Sequence, residues 1–169
     1  IPPEISEAGN FERIERGRYL FDAAGCYGCH TDTKNKGMPL AGGRALKTPF
    51  GVFFSPNITP DKENGIGEWS DADFIRALRH GKNPDGVNYF PVFPYASYTR
   101  LADGDILDIK AYLFSLPADP APNRPHRVSF FFGSRFMVNA WNVLNLKPGP
   151  RQPVPTRSAA WNRGAYLVE

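Results

Sequence analysis

The sequence of 169 residues has only two cysteines, two methionines and three histidines. Both cysteines lie in one short segment, so any second site that needs a cysteine pair is excluded from these residues. No segment approaches the roughly 18 apolar residues of a membrane span, since even the richest stretch, residues 128–137, contains Gly133 and Arg135. The 20 basic and 17 acidic residues form no strong cluster, which argues against nucleic-acid binding.

Proline and glycine, by contrast, are plentiful, with 17 prolines and 16 glycines. Such a composition predicts long irregular connections between short regular elements. A small protein tolerates them when a large apolar cofactor supplies much of its core. The segment 31–60 is the clearest example, and we expect it to run as irregular chain over the edge of a cofactor.

The segment Cys26-Tyr27-Gly28-Cys29-His30 indicates which cofactor this is. Two thiols at this spacing can add to the two vinyl groups of a haem, and the adjacent histidine can ligate the iron. A disulfide between the two cysteines would close a very small loop and stabilise little, and a thioredoxin-like pair requires a preceding βαβ pattern that is absent. A zinc site needs four ligands, yet His80 and His126 are distant and unpatterned. The segment therefore predicts one covalently bound haem c.

Three helices are predicted around this motif. Residues 11–22 have apolar residues at helical spacing, and Gly17 among them permits the close approach of another helix. Ser70 followed by Asp73 predicts a second helix start, and Gly81 its end. Residues 103–116 have an apolar face that ends before a proline, and we expect this third helix to pack on the first.

The blocks between Pro49 and Leu116 resemble the multihaem (diheme or triheme) cytochrome c subunits of bacterial membrane-bound dehydrogenases. They read Pro49-Phe50-Gly51, Ser55-Pro56-Asn57-Ile58-Thr59-Pro60-Asp61, Gly65-Ile66-Gly67, Trp69-Ser70-Asp71 and Phe90-Pro91-Val92-Phe93-Pro94-Tyr95. With the helix layout, the resemblance implies an all-α class I cytochrome c fold. We expect three main short helices around a covalent haem, long irregular loops and a C-terminal extension with an additional helix.

The resemblance further implies an electron carrier and not an enzyme. It would relay electrons from a dehydrogenase to a downstream cytochrome, quinone or oxidase, with any membrane association made through a partner subunit. The sequence begins at Ile1 without a signal peptide, and because haem c is assembled outside the cytoplasm we expect a processed, periplasmic protein. The alternative is a haem enzyme with a labile sixth ligand that acts on a small inorganic or peroxide substrate.

The sixth iron ligand is left open by the sequence. In the resembling family a methionine between the two prolines ligates the iron, but here Phe93 occupies that position. Thioether sulfur suits haem iron, and Met137, in an aromatic stretch that could fold back over the haem, is favoured over Met38. His80, His126 and an open site under Phe93 are the other candidates.

The end of the chain repeats its beginning. Residues 161–169 match residues 14–22 in register, with arginine, glycine, tyrosine and leucine at identical offsets. The sequence therefore predicts a haem domain over 1–117, a proline-rich linker over 118–160 with an aromatic helix packed on that domain, and the start of a second cytochrome c domain over 161–169. A second haem would then be attached beyond Glu169.

Overall fold

The computed structural model describes residues 7–168 of the chain. This part contains seven helices and three short strands. The helices are α1 (Glu7–Ala24), α2 (Cys26–His30), α3 (Asp71–His80), α4 (Tyr95–Tyr98), α5 (Asp103–Phe114), α6 (Arg135–Asn145) and α7 (Ala159–Val168). The strands are β1 (Ala45–Thr48), β2 (Gly51–Phe54) and β3 (Arg127–Val128), and a single 3-10 turn spans Thr33–Asn35. The three main predicted helices are confirmed, each to within a few residues, and α6 is the additional helix expected in the extension.

Helices α1 and α5 pack closely at Gly17. A Cβ atom at this position would lie 1.9 Å from the carbonyl oxygen of Asp108, so only glycine permits this approach. The carboxylate of Asp108 is buried in the same contact and pairs with Arg13 at 3.0 Å and Arg16 at 2.9 Å. The glycine predicted to admit a second helix therefore does so, and α5 is its partner.

Helix α3 begins at the predicted capping box. Ser70 Oγ accepts a hydrogen bond from the backbone N–H of Asp73 at 3.1 Å, and the Asp73 carboxylate accepts one from the N–H of Ser70 at 3.0 Å. Gly81 ends the helix in the left-handed region, with φ 61°. The buried face of α3 packs with α1 and α5 into one core, formed by Leu20, Phe21, Leu40, Ile66, Phe74, Ala77, Leu78, Ile106, Ile109 and Leu113.

The expectation of an all-α chain is wrong for residues 45–54. Here β1 and β2 form an antiparallel hairpin, with Ala45 opposite Phe54, and β3 extends it to three strands. Gly51 has φ 137°, and a Cβ there would lie 2.4 Å from the carbonyl oxygen of Arg127. The prolines and glycines of this segment predicted irregular chain because each strand is only four residues long, and the third strand comes from a distant part of the sequence.

The segment after α5 returns to the haem-motif half of the molecule before it reaches α6. Asn57 anchors it, since its side-chain amide donates to the carbonyl oxygens of Asp119 at 2.7 Å and Ala121 at 3.0 Å. Further on, Arg135 of α6 donates to the carbonyl oxygen of Asn88 in the loop before α4, and the Tyr95 hydroxyl at the start of α4 donates to the Asn142 side chain at 2.6 Å. None of the helices in residues 7–168 is both long and apolar enough to cross a bilayer.

Candidate haem-attachment site

An apolar cavity of about 290 Å³ lies among α2, α3, α5, the β hairpin and the loop before α4. This volume is near the lower end of the roughly 300–1,000 Å³ of typical ligand pockets. Paired aromatic and aliphatic side chains from β2, α3 and α5 form much of its lining: Phe53, Phe54, Phe74, Leu78, Ile109 and Leu113. The cavity therefore presents a largely apolar surface to a ligand.

Helix α2 places the predicted attachment residues Cys26, Cys29 and His30 on one wall of the cavity. Gly25 makes this possible, because its left-handed conformation, with φ 70°, ends α1 and turns the chain into α2. Both cysteines are free thiols; Cys29 is exposed and Cys26 is half-buried. Burial raises the pKa of the Cys26 thiol to about 12, so this group stays protonated at neutral pH.

His30 is held in the tautomer that a metal ligand requires. Its Nδ1 lies 2.8 Å from the carbonyl oxygen of Pro56, and because a carbonyl only accepts, Nδ1 carries the proton. The lone pair is then on Nε2 and is available to a metal ion. Burial also lowers the pKa of His30, which keeps the ring neutral. The imidazole is therefore prepared as a ligand.

The chain that follows the motif holds it in place. The N–H of Gly42 donates to the carbonyl oxygen of His30 at 2.9 Å, and the Arg44 guanidinium donates to the carbonyl oxygen of Gly28. Thr31 is fully buried and accepts a hydrogen bond from the N–H of Leu40 at 3.0 Å. These bonds fix the orientation of α2 against the cavity.

Phe93 lines the cavity, and a phenyl ring has no lone pair to offer a metal ion. It packs edge-to-face on Tyr89, with ring centroids 5.6 Å apart. The Tyr98 hydroxyl donates to the carbonyl oxygen of Ala24 at 2.7 Å, which joins this aromatic wall to the end of α1, and burial raises the pKa of the Tyr98 hydroxyl. The loop of Phe93 is thus fixed beside the attachment motif.

The structure does not bring Met137 to the cavity lining. Met137 is half-buried in the first turn of α6 and is not among the residues that line the cavity. Met38 is exposed, and His80 is exposed on α3. Of the candidate sixth ligands, only His126 borders the cavity. Within residues 7–168 no cluster of three or more His, Cys, Asp and Glu side chains could by itself hold a metal ion.

Sequence reasoning missed the polar part of the lining. Asn123 and Arg124 border the cavity beside His126, although they come from the proline-rich segment after α5. The signal that could have found them is the run Asn-Arg-Pro-His, in which two cationic or ionisable groups flank a rigid proline. Pro56, whose carbonyl orients His30, has no signal in the sequence beyond its place in the block of residues 55–61.

The family model for cytochrome c matches residues 14–117, a range that contains the attachment motif, α3, α5 and the loop of Phe93. The chain belongs to the cytochrome c family. The predicted resemblance is confirmed, and with it haem c as the covalently bound cofactor of this cytochrome. The family is one of electron carriers, and several relatives are named as cytochrome subunits of dehydrogenases, such as those of fructose and alcohol dehydrogenases.

Several curated relatives match almost all of the chain. A subunit of the nicotinate dehydrogenase of Pseudomonas putida is 45% identical over 156 residues, which are 92% of this chain and 13% of that protein. A diheme cytochrome c-type protein of Cereibacter sphaeroides is 40% identical, and the match covers 99% of this chain and 57% of that protein. The fructose dehydrogenase cytochrome subunit of Gluconobacter japonicus is 40% identical over 92% of the chain and 32% of that protein. The cytochrome therefore spans less than two thirds of the length of these relatives.

The residues of the cavity fit haem c. The two free thiols and His30 border the same apolar cavity. The Nε2 atom of His30 has a lone pair that can bind the iron. Gly28, between the two cysteines, has open space around it, so no side chain of its own crowds the attachment edge. The site therefore has the sulfur, nitrogen and apolar surface that the cofactor requires.

Proposed function

We propose that this cytochrome c relays electrons in the periplasm from a dehydrogenase to a downstream cytochrome, quinone or oxidase. When bound, haem c supplies an iron centre that changes oxidation state by one electron. The observation that carries the proposal is the attachment motif on the wall of an apolar cavity, with Cys29 exposed at its rim. The names of the relatives, which include cytochrome subunits of fructose and alcohol dehydrogenases, support the class of donor.

In this function each cavity residue has a separate task. Cys26 and Cys29 hold the cofactor by thioether bonds, and His30 binds the iron through Nε2. Pro56 keeps His30 in the required tautomer. The apolar lining limits the access of water to the iron, which helps to set the reduction potential of the haem. Phe130, Phe131 and Phe136 are largely exposed and supply apolar surface suited to a partner protein.

Production in a periplasm equipped for haem attachment tests this proposal. We expect one haem per 169-residue chain by intact mass, and rapid reduction of the haem by a dehydrogenase of the same organism. Cys26→Ala and Cys29→Ala should each lose one thioether bond, which shifts the pyridine haemochrome band, whereas the exposed Met38→Leu control should not. A chain that binds haem but accepts no electrons from any dehydrogenase of its host would contradict the relay function.

We propose Met137 as the sixth iron ligand. Support comes from α6, which carries Met137 and accepts through Asn142 a hydrogen bond from Tyr95, the first residue of α4 and two positions after Phe93. The bond requires α6 or the loop of Phe93 to shift, since Met137 does not line the cavity in the described structure. Met137→Leu should then abolish the methionine-to-iron charge-transfer band of the oxidised protein, and Met38→Leu should retain it. An unchanged band in Met137→Leu would exclude the assignment.

The second candidate function is a haem enzyme with an open or labile sixth position. One observation favours it: Phe93, and not a methionine, lines the cavity. A high-spin oxidised spectrum together with turnover of peroxide or thiosulfate would establish this function. A low-spin spectrum with no turnover would leave electron transfer as the function.

We also propose that α7 begins a second cytochrome c unit whose haem is attached beyond Glu169. In the sequence repeat, Gly164 corresponds to Gly17, the glycine that admits α5 against α1. A Cβ at Gly164 would meet no atom within 4 Å, so the face that corresponds to the α1–α5 contact is open here. A helix of the second unit would pack on this face. Haem stoichiometry of the full-length protein is the test, and a single haem would refute the proposal.

A further inference from the structure

Arg124 and His126 border the cavity with hydrogen-bond donors that have no acceptor in the described part of the chain. The Arg124 guanidinium lies 4.5 Å from the centroid of the Phe54 ring, but within residues 7–168 its N–H groups have no hydrogen-bond acceptor and no carboxylate partner. His126 likewise has only one of its ring nitrogens engaged. The Arg124 side chain is exposed at the edge of the cavity, so its N–H groups are free to bind an anionic ligand.

The tautomer of His126 distinguishes it from a metal ligand. Its Nδ1 lies 3.0 Å from the backbone nitrogen of Phe54 and must accept that hydrogen bond, so the ring proton is on Nε2. Burial and the charge of Arg135 lower the pKa of His126, which keeps the ring neutral. An Nε2–H group donates hydrogen bonds and has no lone pair for iron. His30 has the opposite tautomer, because its Nδ1 donates to Pro56.

The segment that carries both side chains is clamped on each side. Asn123 Oδ1 accepts from the N–H of Asn57 at 2.7 Å, and the Asn123 amide donates to the carbonyl oxygen of Asn64 at 2.9 Å. On the other side β3 pairs with β2 directly after His126. Residues two apart in an extended chain point to the same side, and Pro125 between them restricts the backbone. Arg124 and His126 are therefore preorganised to bind one ligand together.

We infer that Arg124 and His126 form the carboxylate-binding part of the cavity and bind the propionate groups of the haem. The inference rests on haem c occupying the cavity. The other side chains of the lining are mostly apolar and suit the haem ring. Arg124 supplies a positive charge and His126 an N–H group, which are the partners that the two propionate carboxylates require. The segment between α5 and β3 thus becomes part of the haem site although it lies beyond residues 14–117.

The reduction potential of the haem-loaded chain tests the role of Arg124. A cation beside a propionate offsets a negative charge that favours the oxidised iron, so Arg124→Gln should lower the potential and Arg124→Lys should largely retain it. Arg127→Gln is the matched control, because Arg127 also lies over the Phe54 ring, at 5.7 Å, but does not border the cavity. Equal shifts in Arg124→Gln and Arg127→Gln, or no shift in either, would overturn the inference.

His126 gives an independent test that does not depend on the stability of the Arg124 variants. His126→Leu should change the carboxylate vibrations of the haem propionates while the spin state of the iron stays as in the parent, and His80→Leu should change neither. A switch to high-spin iron in His126→Leu would show that His126 ligates the iron and would refute the tautomer argument. Haem content is measured alongside, so a parent chain without covalent haem would instead count against the proposed function.

Discussion

Replacement of Gly17 by alanine tests whether the contact between α1 and α5 supports the whole fold. The added Cβ would lie 1.9 Å from the carbonyl oxygen and 2.5 Å from the carbonyl carbon of Asp108. Both are backbone atoms, so no side-chain rotation relieves the clash. Restoring the 3.4 Å of ordinary contact requires the helices to separate by about 1.5 Å at this point, the difference between 3.4 and 1.9 Å.

Such a separation would weaken interactions on both sides of Gly17. The ion pairs of Asp108 with Arg13 and Arg16 would lengthen, and the edge-to-face contact of Phe21 with Tyr112, now 5.1 Å between centroids, would open. Overpacking of this kind costs typically about 1–3 kcal/mol, and we place Gly17→Ala at about 3 kcal/mol because only backbone can yield. For a chain of this size that corresponds to a fall in Tm of roughly 6–12 °C.

Thermal unfolding of the haem-loaded 169-residue chain, followed by circular dichroism, measures this fall. Gly164→Ala is the matched control, since the same change in α7 meets open space and gains helix propensity, by up to about 1 kcal/mol. Its Tm should stay the same or rise slightly. The reasoning fails if Gly17→Ala unfolds within error of the parent, or if the two variants lose equal stability. In the full-length protein, by contrast, Gly164→Ala should destabilise the proposed second unit.

Three further predictions concern the motif, a helix cap and a buried ion. In haem-free chain that retains the circular dichroism spectrum of the folded protein, Cys26 should react with iodoacetamide more slowly at neutral pH than the exposed Cys29, because burial raises the pKa of the Cys26 thiol to about 12; equal rates by mass spectrometry would contradict this. Ser70→Ala should cost about 1 kcal/mol in urea unfolding through loss of the α3 cap, and an unchanged midpoint would exclude that role. Asp108→Asn should cost about 2 kcal/mol by the same assay, below the range for fully buried pairs because Arg13 and Arg16 are partly exposed, and a more stable variant would refute the estimate.

The helices were predictable because their signals are local. The apolar spacing of α5, the Ser70 cap and the Gly81 stop of α3 each depend on residues within a few positions of one another. Gly17 was predictable as a contact point for a similar reason, since a glycine on an apolar helix face has few other uses. Its partner, α5, followed because the chain offers few other helices with a suitable face.

The β hairpin was not predictable in the same way. Strands β1 and β2 are four residues each, and their edge is completed by β3 from residues 127–128. The glycine at position 51 indicated a turn or irregular chain, but it is required by the approach of Arg127 and Val128. Four-residue strands are too short to show a clear alternation of apolar and polar residues, and the two-residue β3 lies more than 70 positions away from β2.

The sequence by itself determined the attachment chemistry, because two thiols and an imidazole within five consecutive residues can be recognised without a fold. Tertiary structure decided which distant groups share that space. It brought His126 and Arg124 to the cavity, left Met137 outside the lining, and set the tautomer of His30 through the carbonyl of Pro56. The spacing of Cys26, Cys29 and His30 along the chain is fixed by the sequence. The residues on the opposite side of the cavity come from distant segments, so their presence there depends on how those segments pack.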